Sequence, residues 1–83
     1  MTPKQRKIKI EQIKELLTKN NFNQDKRYPH LFYNKDRTCR FKFTATKVRK
    51  ERKFSYTWKR VWSEYVVKID LYNIPMTWKS FSK

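Results

Sequence analysis

Glycine is absent from this 83-residue chain. That excludes every chemistry that needs a Gly-rich loop: there is no P-loop, no dinucleotide-binding fingerprint and no GXXG clamp on a nucleotide backbone. It also removes the residue that most easily makes a two-residue hairpin turn. The turns are therefore expected to use Asn, Asp and Lys, and to be longer. Cysteine and histidine occur once each, at Cys39 and His30. A lone cysteine forms no internal disulfide, and this pair gives no basis for a Cys/His zinc site. Cys39 opens an apolar strand face and reads as buried filler rather than a reactive thiol. His30 follows Pro29 and reads as structural or solvated. No apolar run approaches the ~20 residues that span a membrane. The basic N-terminus lacks the apolar region of a signal peptide. A soluble, intracellular chain is expected, cytoplasmic or nucleoid-associated, with no membrane partner and no cofactor.

Acidic residues are scarce too. Seven Asp and Glu face twenty-two Lys and Arg, a formal net charge of +15 and a pI near 10.3. So much charge on so small a chain repels itself, and a polyanion relieves the repulsion. Nucleic acid is the commonest such partner. The charge is uneven. Residues 1–27 carry +5 (eight basic, three acidic), residues 28–60 carry +9 (eleven basic, two acidic) and residues 61–83 carry +1 (three basic, two acidic). The middle of the chain is the expected contact surface.

The hydrophobic share is low at 37%, but 17% of the residues are aromatic, and large rings can close a thin core. The aromatic and β-branched residues also cluster and alternate, unlike those of a disordered chain. One domain over residues 1–83 is expected, with no repeat and no linker.

Thr2-Pro3-Lys4-Gln5 is a helix-start signature, with Thr2 at the N-cap, Pro3 at the first position and Gln5 closing a capping box. Ile10, Ile13, Leu16 and Leu17 then form one apolar stripe, with Ile8 roughly opposite. Asn20 or Asn21 suits a left-handed cap, with Phe22 folding back. A helix is expected at about 3–20. Leu31-Phe32-Tyr33 is a short strand candidate, and residues 34–37 a turn. Cys39, Phe41, Phe43 and Ala45 alternate strictly with polar neighbours, which marks a half-buried strand. Residues 49–53, Arg-Lys-Glu-Arg-Lys, read as a charged hairpin connection. Phe54, Tyr56 and Trp58 suggest the next strand and, after a connection at residues 60–63, Tyr65, Val67, Ile69 and Leu71 another. Residues 73–83 form an aromatic tail with Met76, Trp78 and Phe81.

The resulting fold class is α+β: an N-terminal helix packed on one face of a three- to four-stranded antiparallel meander, in two layers, with the sheet over about 31–72. At the level of fold only, a meander with a basic face resembles sheet-type DNA readers such as AP2-like and integrase arm-binding domains. Those place the helix after the sheet. The double-stranded RNA-binding domain shares the helix-then-strands order, and also needs a lysine-rich second helix.

The residues expected to meet nucleic acid are Arg40, Lys42, Lys47, Arg49, Lys50, Arg52, Lys53, Lys59 and Arg60, with Trp62 as a base-stacking candidate beside Arg60. Tyr28, Phe32, Tyr33, Tyr72 and Trp78 complete the set of rings open to stacking, although most rings must be core for so small a domain to fold. Asp36 and Glu51-Arg52-Lys53 resemble the D…(D/E)xK pattern of metal-dependent nucleases. That pattern is short, and its acids serve equally to temper local repulsion in turns. Three readings follow. The first is a non-catalytic nucleic-acid-binding protein with no catalytic residue and no metal. The second is an accessory or inhibitor protein docking an acidic surface or nucleic-acid channel of a larger nucleoprotein machine. The third is a small nuclease.

Overall fold

The computed structural model describes residues 2–75, so Met76, Trp78 and Phe81 of the aromatic tail lie outside the described residues. Helix α1 spans Pro3–Lys19. The capping box forms as expected: the Gln5 N–H donates to Thr2 Oγ1 at 3.2 Å and the Thr2 N–H to Gln5 Oε1 at 3.0 Å. At the other end Asn21 takes the left-handed conformation, with φ of 67°. The Phe22 N–H then reaches the Leu17 carbonyl at 2.9 Å and the Asn21 N–H the Thr18 carbonyl at 3.2 Å. This paired closure satisfies the last carbonyls and folds Phe22 back into the core. Among the described residues, no helix is long and apolar enough to cross a membrane.

Five antiparallel strands follow, paired in chain order β1-β2-β3-β4-β5. They are β1 (Asn23–Gln24), β2 (Leu31–Tyr33), β3 (Cys39–Phe43), β4 (Lys47–Phe54) and β5 (Thr57–Tyr65). The meander and the two-layer α+β class agree with the sequence; the strand count is five rather than three or four. The core joins Ile13, Leu17 and Phe22 to Phe32, Phe41, Phe43 and Val48 of the sheet and to Val66, Ile69 and Ile74 beyond it. Phe41 is the hub, edge-on to Phe22 at 5.0 Å and to Trp62 at 6.3 Å. Among the described residues, only one face of the sheet is covered in this way.

Three local expectations are corrected. The charged run 49–53 is not a turn. It lies inside β4, hydrogen-bonded between β3 and β5. The turns fall on either side of that strand. One is at 44–46, where the Thr44 hydroxyl accepts the Lys47 N–H at 3.0 Å. The other is the two-residue turn Ser55-Tyr56, made without glycine because Ser55 takes a φ of 56°. Residues 60–63 belong to β5 rather than to a connection. Finally, Tyr65–Leu71 is no strand. Val66–Lys68 is a turn of 3-10 helix, which buries Val66 and Ile69 and leaves Tyr65 and Val67 exposed. Of the four residues that alternation puts on the apolar face, Ile69 is buried and Leu71 packs against the core, but Val66 is buried in place of Tyr65 and Val67, because a spacing of three buries residues that a spacing of two would expose.

A charged run can occupy a central strand because each inward charge has somewhere to go. Lys50 faces the core and is fully buried. Its stem crosses Phe41, with the ammonium 5.6 Å from the ring centroid, and Nζ donates to the Pro75 carbonyl at 2.8 Å. This bond ties the segment after the 3-10 turn to the sheet. Loss of water pulls the Lys50 pKa down to about 8. The folded protein therefore holds fewer protons than the unfolded chain between pH 8 and the ordinary lysine value of 10.5. Stability contributed at this site should rise with pH across that window, and below pH 8 the full cost of the buried charge is present, about 3 kcal/mol. Urea unfolding of wild type and Lys50→Met should reveal it. The stability of the variant relative to wild type is expected to fall by that order between pH 7.5 and 10.5. A difference independent of pH would contradict a buried, desolvated ammonium.

Candidate nucleic-acid interface

The face of the sheet turned away from α1 is built in rows, because residues paired across antiparallel strands project from the same face. One row crosses four strands: Tyr33, Arg40, Glu51 and Arg60. The next contains Lys42, Arg49 and Ser63. Lys53 pairs with Trp58 and Lys47 with Tyr65, one pair towards each end. Six cations stand on this face, Arg40, Lys42, Lys47, Arg49, Lys53 and Arg60, with Glu51 as the one acid among them.

Arg40 organises the centre. Its Nε donates to Glu51 Oε1 at 2.7 Å and its Nη1 to the Tyr33 hydroxyl at 3.1 Å. Its guanidinium lies 4.3 Å from the centroid of Trp58. Tyr33 and Trp58 meet edge to face at 5.7 Å, and Arg37 from the β2–β3 turn covers Tyr33 at 4.2 Å. Arg49 reaches the second Glu51 oxygen at 3.7 Å while its side chain stays 41% exposed. Planar guanidinium groups stacked on rings are weakly hydrated and held in orientation, which suits them to oxyanions.

Lys42 and Arg49 sit directly opposite each other. Like charges so placed destabilise a sheet. Glu51 relieves part of this, but the Lys42 ammonium, Lys53 and Arg60 add to a field of one sign. A polyanion laid across the strands would complete the neutralisation.

At the sheet edge, Arg37 holds a φ of 57° and pairs with Asp25 at 3.3 Å. The Tyr28 N–H, at 2.8 Å, is the main cause that lowers the Asp25 pKa, with the Arg37 guanidinium adding to it. This anchors the turn that carries Arg37 over Tyr33.

The structure thus brings together six of the nine cations singled out in the sequence. Lys50 is buried in the core. Arg52 and Lys59 project from the other face, where both lie against Phe54 at 5.4 and 5.6 Å. Trp62 also faces the helix side, packed on Phe41 rather than displayed beside Arg60. Trp58 takes the place expected of it. The reason is a β-bulge: Lys50 pairs with Trp62 but Glu51 pairs with Arg60, leaving Val61 as the extra residue. Trp58 and Trp62 are four apart and would share a face in a regular strand; the bulge puts them on opposite faces. Alternation around Arg60 points to Trp58 and Trp62 alike, and only the bulge separates them.

Of the other rings, Phe32 is core, Tyr28 is 46% exposed and Tyr72 is 96% exposed. Asp36 is exposed in the β2–β3 turn, while Glu51 is in mid-strand with both oxygens engaged by guanidinium groups. Among the described residues, no group of three or more His, Cys, Asp or Glu could hold a metal ion. Comparison with known proteins finds no family model, no curated protein and no solved structure that matches this chain.

Proposed function

We propose that this protein is a non-catalytic nucleic-acid-binding protein that grips the phosphate backbone through the face of its sheet turned away from α1. The observation that carries the reading is the composition of that face: six cations and one carboxylate, two of the cations opposed across β3 and β4. Phosphate contacts of this kind position a chain on nucleic acid without reading its sequence. Arg40 serves as the fixed centre, since its Nε and Nη1 already donate to Glu51 and Tyr33. Lys42, Lys47, Arg49, Lys53 and Arg60 supply the contacts. The carboxylate that a metal-dependent nuclease would need, Glu51, is bonded to two arginines, which supports binding rather than cleavage.

A salt titration tests this. If these five cations displace counterions from a duplex, log affinity falls against log salt with a slope of about −4.5, or about −3.5 on a single strand. A nearly flat dependence would contradict the phosphate grip and favour docking to an acidic protein through a few fixed pairs.

A further inference from the structure

The β4–β5 hairpin reaches past the rest of the sheet. The last link of β4 to the β3 side is the Lys53 N–H, which donates to the Thr38 carbonyl at 2.8 Å. Beyond it Phe54 pairs only with Thr57 across the turn, and the Thr57 hydroxyl braces that turn by donating to the Phe54 carbonyl at 3.1 Å. At the tip Tyr56 is 96% exposed, with Phe54 41% exposed behind it. Turns of two residues ordinarily use small polar residues or glycine. A tyrosine adds nothing to the turn itself. Four cations flank it: Arg52 opposite Lys59 on one face, Lys53 and Arg60 on the other.

We propose that Tyr56 stacks on an unpaired nucleic-acid base while Lys53, Lys59 and Arg60 hold the phosphates on either side of it. This rests on the phosphate-grip reading and narrows its substrate to nucleic acid with unpaired bases, as in a single strand, a bulge or a junction. Two features favour an unpaired base over a base step of intact duplex. Side chains that wedge into duplex steps are apolar, whereas a tyrosine ring with its hydroxyl in water suits stacking on a base already open to solvent. The tip is also two residues wide and closed by the Thr57 hydroxyl, so it presents one ring rather than a broad apolar surface. A second copy of the chain is no alternative occupant, because each copy carries +15.

The test compares two short DNA duplexes, one with a single unpaired 2-aminopurine and one fully paired, against wild type, Tyr56→Ala and Tyr56→Trp. Wild type should prefer the unpaired site and quench its fluorescence. Tyr56→Ala should lose roughly 5- to 150-fold in affinity for that probe, the range for one stacked base, and stay within about twofold on the paired duplex. Tyr56→Trp should restore both preference and quenching. Unchanged preference in Tyr56→Ala, or equal losses on both probes, would overturn the stacking role while leaving the phosphate grip standing. If wild type bound neither probe, the phosphate grip would fall and the stacking role with it. Because Tyr56 is almost wholly exposed, its replacement should leave the thermal unfolding curve in place, which separates lost stacking from lost fold.

Discussion

Replacing Lys42, Arg49, Lys53 and Arg60 together with glutamine is expected to abolish most of the affinity for nucleic acid without unfolding the domain. All four stand on the face of the sheet turned away from α1. Lys53 and Arg60 are exposed, and Lys42 and Arg49 are half-exposed. Each duplex phosphate contact contributes about 0.9 to the salt slope, so four losses should cut the slope by roughly 3.5. Relative to binding at 1 M salt, the same contacts are worth about three orders of magnitude at 0.1 M. Stability should hold or rise by about 0.2–1 kcal/mol, because Lys42 and Arg49 no longer oppose each other. Glu51 keeps its shorter bond, to Arg40 at 2.7 Å, after Arg49 is gone. Filter binding and thermal unfolding of the same preparation report both effects. Normal binding by the quadruple variant would remove the sheet face from the account.

Phe41→Ala should do the reverse. Phe41 is completely buried and touches the helix end through Phe22, strand β5 through Trp62 and the ammonium of Lys50. Truncating such a ring costs about 3–5 kcal/mol. A domain of this size is stable by only about 4–12 kcal/mol, so the melting temperature should fall by roughly 15–30 °C. Binding measured well below the new melting temperature should be weakened little, since none of the proposed phosphate contacts comes from Phe41. A melting curve within a few degrees of wild type would contradict its place at the hub of the core.

These two variants separate parts of the chain that the sequence discloses unequally. The helix was legible to its caps, because Thr2, Pro3 and Gln5 act locally and Asn21 and Phe22 close the last turn within six residues of Leu17. Strand β3 was legible because Cys39, Phe41 and Phe43 alternate against Arg40 and Lys42. Strand β4 was not. Five consecutive charges resemble a solvated turn, and nothing local reveals that Lys50 finds Pro75 or that Glu51 finds Arg40. Those partners are long-range, and they exist only once the meander has formed. The two-residue strand β1 is equally silent, since Asn23 and Gln24 have strand form only by pairing with Phe32 and Tyr33. The candidate interface was half legible for the same reason. Its cations could be counted, but the face each occupies depends on one bulge at Lys50/Glu51. That bulge moves Trp62 into the core side and leaves Trp58 under Arg40.

In the proposed function nucleic acid lies on the face opposite the helix. Nuclear magnetic resonance shift mapping tests this most directly, with an oligonucleotide titrated into isotope-labelled protein. The expected result is a continuous set of shifted signals from Lys42, Arg49, Lys53 and Arg60, together with the Trp58 indole N–H. Signals of Lys4, Lys7 and Lys19 on the exposed side of α1 should stay near their free positions. Shifts concentrated on α1, with those of the sheet face unmoved, would contradict the account.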